Sequence, residues 1–207
     1  AILMSQGFGA VKDMSIPPVA EAFAAAGFVV LLYDHRNFGE SPGEPRQDVD
    51  AWQQVRDMRE VISHLRAMPE VDPARIGLWG TSFSGGHAIV VSAADRRVKC
   101  TVAQVPFVSG SLTVAKGMPA DKLAERVAAI EADYDARARG APPMRQAISA
   151  EGSEGNIWSR NAGAGTKYKN ECTLRSLDSF GCYEPGDYVA RVAPTPLLFI
   201  VAKNDTR

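Results

Sequence analysis

Short apolar runs punctuate the chain, separated by longer stretches in which apolar residues return every third or fourth position. The runs are Ile2–Ser5, Phe28–Asp34, Arg75–Trp79, Lys99–Val105 and Leu197–Ala202, rich in Val, Ile and Leu. Continuous runs without polar alternation predict strands buried on both faces, as in a parallel sheet covered by helices. Pro18–Ala26 is Ala-rich and helical, and Gly27 fits its C-terminal cap. In Asp48–Met68 the positions Val49, Trp52, Val55, Arg59, Ile62 and Leu65 recur at helical spacing with apolar groups dominating, and Pro69 ends the helix. Ser84–Ala94 is small and apolar, fitting a helix packed closely on the sheet. Strand–helix alternation of this kind implies right-handed crossovers and an α/β fold with an open, doubly wound, mainly parallel sheet.

The rhythm breaks between Pro106 and about Tyr188. Asp121–Arg139 reads as a charged amphipathic helix with Leu123, Val127, Ile130 and Tyr134 on one face, and Gly152–Gly165 as a flexible Gly-, Ser- and Asn-rich loop. The expected division is a core at 1–105, a helical cap inserted above the sheet at 106–190, and a return to the core at 191–207. A peripheral helix pair with an ordinary loop is the alternative for the middle segment. Both ends fall in or just beyond strand-like runs, which reads as a fragment of a longer protein lacking material on both sides.

Charge narrows the function classes. The 23 basic and 24 acidic side chains give a formal net charge of −1, against the basic surplus of a nucleic-acid binder. The longest apolar stretch, Ala22 to Tyr33, is 12 residues and contains Gly27, whereas a membrane span needs about 20. No basic region precedes Ala1–Met4, so no signal peptide is recognised and a cytoplasmic location is expected. Three cysteines do not make a disulfide framework; Cys172 and Cys182 could pair, but free thiols are the preferred reading. The scattered Cys and His residues lack metal-ligand spacing, and glycine-rich nucleotide motifs are absent, so neither metal nor organic cofactor is expected.

The segment Arg75-Ile76-Gly77-Leu78-Trp79-Gly80-Thr81-Ser82-Phe83-Ser84-Gly85-Gly86 carries the chemistry. A buried strand enters a tight turn with Ser82 at its apex, then a helix of small residues. Such a turn strains its apex residue and demands small neighbours, here Gly80, Gly85 and Gly86. In return it projects the hydroxyl from the sheet edge at a helix N-terminus, where developing negative charge is favoured. Ser84 is a rival nucleophile, disfavoured because it already lies in the helix. A plain Gly/Ser-rich turn is the bland alternative.

With this turn, Gln6-Gly7-Phe8-Gly9, Tyr33–Ser41 and Leu198–Thr206 make the chain resemble the α/β-hydrolase superfamily. Within it, the chain is similar to the serine hydrolases grouping with dienelactone-hydrolase, X-Pro-dipeptidyl-peptidase and polyketide-transferase proteins. The resemblance implies an oxyanion hole from the backbone N–H groups of Phe8 and Phe83, with Gly7 and Gly9 shaping the turn. Gln6 stands where the family usually has His. Asp34 and Arg36 are expected to pair and fix their loop. The family's order of nucleophile, acid and base makes Asp205 the acid. No His follows it. His35, His64 and His87 read as structural, so the base is expected beyond residue 207. Trp158, Tyr168, Phe180 and Tyr183 either line the acyl pocket or form the insertion's own core. The implied activity is hydrolysis of small-molecule carboxylic esters through an acyl-serine, with small-peptide amides also in range. An acyl or polyketide transferase using the same serine, or a non-catalytic binding protein, are the alternatives. Neither a nucleic-acid nor a membrane partner is expected, and the oligomeric state is left open.

Overall fold

The computed structural model describes residues 1–203. In chain order the elements are β1 (Ile2–Ser5), α1 (Pro17–Ala25), β2 (Val30–Leu32), α2 (Ala51–Ala67), β3 (Ile76–Thr81), α3 (Phe83–Ala94) and β4 (Val98–Gln104). There follow α4 (Gly110–Gly117), α5 (Ala120–Ala138), β5 (Arg145–Gln146), α6 (Glu154–Ala162), β6 (Cys172–Thr173), α7 (Arg175–Gly181), a 3-10 turn (Pro185–Tyr188), α8 (Val189–Val192) and β7 (Leu197–Ile200). The five expected runs form one parallel sheet in the order β2-β1-β3-β4-β7. This is the doubly wound α/β architecture that the strand–helix alternation implies.

Successive residues of β1 and β3 feed opposite faces, as the two-residue period of a strand requires. Leu3, Ile76 and Leu78 join Met58, Ile62 and Leu65 of α2 and Phe83 of α3 in the main core. Met4 and Trp79 pack on the other face with Ile16 and Phe23. Among the described residues, Leu198, Phe199 and Ile200 of β7 are exposed. Only Leu197 reaches the small cluster of Ile89, Ala103 and Val192.

Two helices depart from expectation. The buried face of α2 runs through Ala51, Gln54, Val55, Met58, Ile62 and Leu65, leaving Trp52 and Arg59 outward. A polar Gln54 faces inward because its Oε1 accepts from the His87 ring Nε2, at 2.9 Å. The stretch expected to be a loop holds α6. Ser153 caps it by accepting from Asn156 N–H at 3.2 Å, and Asn156 Oδ1 accepts from Gly152 N–H at 3.2 Å. Its Ser and Asn residues therefore build the helix start instead of opposing it.

The segment between β4 and β7 is fastened to the core through Asp48, just before α2. Arg175 Nε donates to Asp48 Oδ1 at 2.7 Å, and the Thr173 hydroxyl donates to the same oxygen. Val49 N–H donates to Ser176 Oγ at 2.8 Å and Ala51 N–H to Ser179 Oγ at 3.0 Å. Among the described residues no helix is long and apolar enough to cross a membrane.

Candidate active site

Ser82 sits between β3 and α3 at φ 53° and ψ −121°, a conformation L-residues rarely adopt. Three close backbone bonds hold it there, beside a longer one from Gly86 N–H at 3.4 Å. Its N–H donates to Gln104 O at 3.0 Å, and its carbonyl accepts from Gly85 N–H at 2.9 Å and Phe107 N–H at 2.8 Å. The small neighbours are sterically required. A Cβ on Gly80 would overlap the Ser84 carbonyl, one on Gly85 would lie 2.9 Å from Pro106 Cα, and one on Gly86 would lie 2.6 Å from Phe107 O. Ser82 is exposed and its side chain makes no capping bond to α3, whereas Ser84 is fully buried inside the helix. The turn therefore presents Ser82, not Ser84.

The turn after β1 closes on this serine. A Cβ on Gly7 would stand 3.2 Å from Ser82 Cβ and 3.4 Å from its Oγ, so the backbone there passes directly over the hydroxyl. The rings of Phe8 and Phe83 meet edge to face at 5.2 Å. Gly9, at φ +65°, leaves room that Ile148 Cδ1 occupies. Together these residues open into a cleft of about 530 Å³ with Gln6 and Ser82 in its lining and Met14, Trp79, Ile148, Trp158 and Tyr168 as apolar walls. Of the four aromatic residues of the insertion, Trp158 and Tyr168 line the cleft. Phe180 and Tyr183 instead pack around Phe83 and Phe107, with Tyr183 fully buried. Met14 and Ile148 carry no local signal of their role in the sequence; only the tertiary fold brings them to the serine.

The charged and imidazole groups are placed differently from the expected pairing. Asp34 does not bond Arg36. It accepts from the Lys12 and Glu40 N–H groups at 2.7 and 2.9 Å, pinning two loops as a turn-forming carboxylate does. Arg36 makes a two-point bond with Asp57 of α2, at 2.9 and 2.7 Å, because its side chain points out over that helix. His64 is exposed on α2. His87 is buried, with Tyr183 OH and Gln54 Oε1 each 2.9 Å from its two ring nitrogens, and burial pushes its pKa well below the usual value. His35 Nε2 lies 2.8 Å from Ser5 Oγ and 3.0 Å from Ser84 Oγ, and burial lowers its pKa to about 4. Neither buried imidazole bonds Ser82. Asp205 lies outside the described residues. The three cysteines are free; Cys172 is buried, which pushes its thiol up to about 12, while Cys100 and Cys182 are exposed.

Residues 1–179 match the model of the X-Pro dipeptidyl-peptidase (S15) family. The thiohydrolase aneE of Aspergillus aculeatus is 41% identical over 140 residues, covering 68% of this chain and 43% of that protein. The quorum-quenching protein AidA of Acinetobacter baumannii is 31% identical over 216 residues, covering 99% of this chain and 70% of that protein. The solved structure of the α/β hydrolase GrgF from Penicillium sp. sh18 superposes with a TM-score of 0.86 at 26% identity, covering 99% of this chain and 72% of that one. The match to aneE thus spans less than half of that relative's length.

Proposed function

The chain belongs to the X-Pro dipeptidyl-peptidase (S15) family of α/β-hydrolase-fold serine hydrolases, and from that membership we propose that it cleaves small acyl compounds, carboxylic esters or thioesters, through an acyl-enzyme on Ser82. The observation that carries this reading is the exposed Ser82 hydroxyl at a strained turn, with the Gly7 backbone packed against it. Ser82 Oγ attacks the acyl carbonyl while the N–H groups of Phe8 and Phe83 receive the developing oxyanion. The tetrahedral adduct expels the alcohol or thiol, leaving an ester on Ser82, and water then releases the acid. A serine hydroxyl needs a general base at neutral pH. With His35 and His87 engaged elsewhere, the base is a histidine beyond residue 207 and Asp205 its acid partner. The apolar walls of the cleft support an acyl group with substantial hydrocarbon character. The helical segment 106–190 acts as a cap, since it supplies Ile148, Trp158 and Tyr168 to those walls. The relative named a thiohydrolase favours water as the acceptor, and transfer of the acyl group from the same serine to another nucleophile is the second reading.

The test uses the full-length protein with a fluorophosphonate and a p-nitrophenyl ester. A stoichiometric adduct mapped to Ser82, with Ser82→Ala lowering turnover by about 10⁴-fold or more, is expected. Wild-type turnover in Ser82→Ala overturns the assignment. Product analysis in the presence of an added alcohol separates hydrolysis from transfer.

A further inference from the structure

We propose that His35 is a positioning residue that fixes the oxyanion turn relative to the nucleophile turn, by tying the end of β1 to the first turn of α3. The inference rests on the reading of Ser82 as nucleophile. The parallel ladder between β1 and β3 pairs residues only as far as Ser5 with Gly80. Beyond that pair, one chain turns into Gln6-Gly7-Phe8 and the other into Ser82-Phe83-Ser84, leaving that ladder just where the two N–H donors must be held apart by a fixed distance. A side-chain triangle takes over there. His35 Nε2 lies 2.8 Å from Ser5 Oγ and 3.0 Å from Ser84 Oγ, and Ser5 Oγ donates to Ser84 Oγ at 3.0 Å. Ser5 and Ser84 are fully buried and His35 is 3% exposed, so water does not compete for these bonds. Ser5 stands three residues before Phe8, and Ser84 directly follows Phe83. Each donor is thus one short backbone lever away from the triangle.

Proton counting assigns the ring's form. Nδ1 of His35 has no hydrogen-bond partner. A bare acceptor there costs less than an orphaned N–H, so the proton sits on Nε2 and is given to Ser5 Oγ. Ser5 then donates its own proton to Ser84 Oγ; a protonated Nε2 cannot accept from Ser84, so the third edge is a second, weaker branch of the same Nε2–H toward Ser84 Oγ. Of the groups near the imidazole, the Asp57 carboxylate favours a positive charge, but by less than burial disfavours it. The Tyr33 and His87 rings stand at 5.2 and 5.8 Å, and the Asp57 carboxylate is engaged by Arg36. Burial therefore keeps His35 neutral, with its pKa lowered to about 4. A neutral bridge transmits position without adding a field at the serine.

Displacing a reacting group by about 1 Å costs on the order of 100-fold, so loss of this tie is expected to lower kcat by about 10- to 100-fold with KM unchanged. The experiment measures p-nitrophenyl ester turnover and thermal melting in the full-length protein for His35→Phe, His35→Gln, Ser84→Ala and Ser82→Ala. The expected result is a kcat loss in folded His35→Phe and Ser84→Ala, and recovery of most of that loss in His35→Gln, whose amide can donate from near the Nε2 position. If Ser82→Ala is inactive while folded His35→Phe and Ser84→Ala keep wild-type kcat, the positioning role is overturned and the nucleophile stands. If Ser82→Ala retains activity, both fall together. Should His35→Phe not fold, Ser84→Ala decides: wild-type kcat overturns the proposal, and a selective kcat loss supports it.

Discussion

A single backbone conformation at Ser82 organises its neighbours. Holding a non-glycine residue in that region costs about 1–3 kcal/mol, which the three backbone bonds and the close packing around Gly80 offset. Gly80→Ala places a methyl on the Ser84 carbonyl, so a loss of about 2–4 kcal/mol in urea unfolding is expected, together with loss of Ser82 labelling. His35 makes a second residue-level prediction. Its folded pKa, about 4, is below the ordinary 6.5, so the unfolded chain binds its proton first as pH falls. The stability associated with the neutral ring is complete above pH 6.5 and lost progressively as pH drops toward 4; the total is on the order of 3 kcal/mol. His87 adds to the loss in the same direction. Urea midpoints measured across that window should fall, and His35→Gln should flatten the slope. At this scale the sequence is informative where a residue's constraint is local. Ser82 and Gly80 are legible because strand, turn and helix follow one another within a dozen positions. The Ser5–His35–Ser84 triangle is not, because its three members lie on three separate elements.

Elements were legible in proportion to how much of their pattern is set by the sheet. All five apolar runs are strands of one parallel sheet, and in β1 and β3 the continuous apolar pattern follows from burial against α2 and α3 on one face and α1 on the other. The buried face of α2 lies a fraction of a turn from the one its apolar spacing predicts, since one polar residue, Gln54, is buried by pairing with His87. Helix α6 falls where the sequence predicts a loop, because Gly, Ser and Asn favour turns and nothing in their spacing announces that Ser153 is a cap. That cap gives an element-scale prediction. Ser153→Ala removes an acceptor from Asn156 N–H and should cost about 1 kcal/mol of local stability. Faster amide exchange across Glu154–Ala162, with the global unfolding midpoint little changed, is the expected signature. Since Trp158 lies on this helix and in the cleft wall, ester KM should rise in the same variant.

For the molecule as a whole, the cleft beside Ser82 is a joint product of the sheet's C-terminal edge and the segment between β4 and β7. Asp48 is the fastening between them, holding Thr173 and Arg175 while its neighbour Val49 bonds Ser176. Asp48→Ala leaves these partners unpaired beside the core. A loss of about 2–3 kcal/mol is expected, less than for a fully buried pair because Arg175 is partly exposed. Limited proteolysis should then cut first within residues 106–190, and an unchanged cleavage pattern would count against the fastening role. The order of strands in the sheet also bears on how the protein is made. β1 lies inside the sheet, between β2 and β3, and on the β3 side Ile2 pairs with Gly77, far along the chain. During synthesis one flank of β1 therefore waits, open, until β3 leaves the ribosome, and the cleft waits longer still for Trp158 and Tyr168. Parallel pairing over such separations is slow, and the nascent chain meanwhile offers Leu3 and Met4 on an unpaired edge. A strand whose two partners both follow it in sequence thus keeps one edge open until the second is made, and a chaperone bound in that interval should release as β3 emerges.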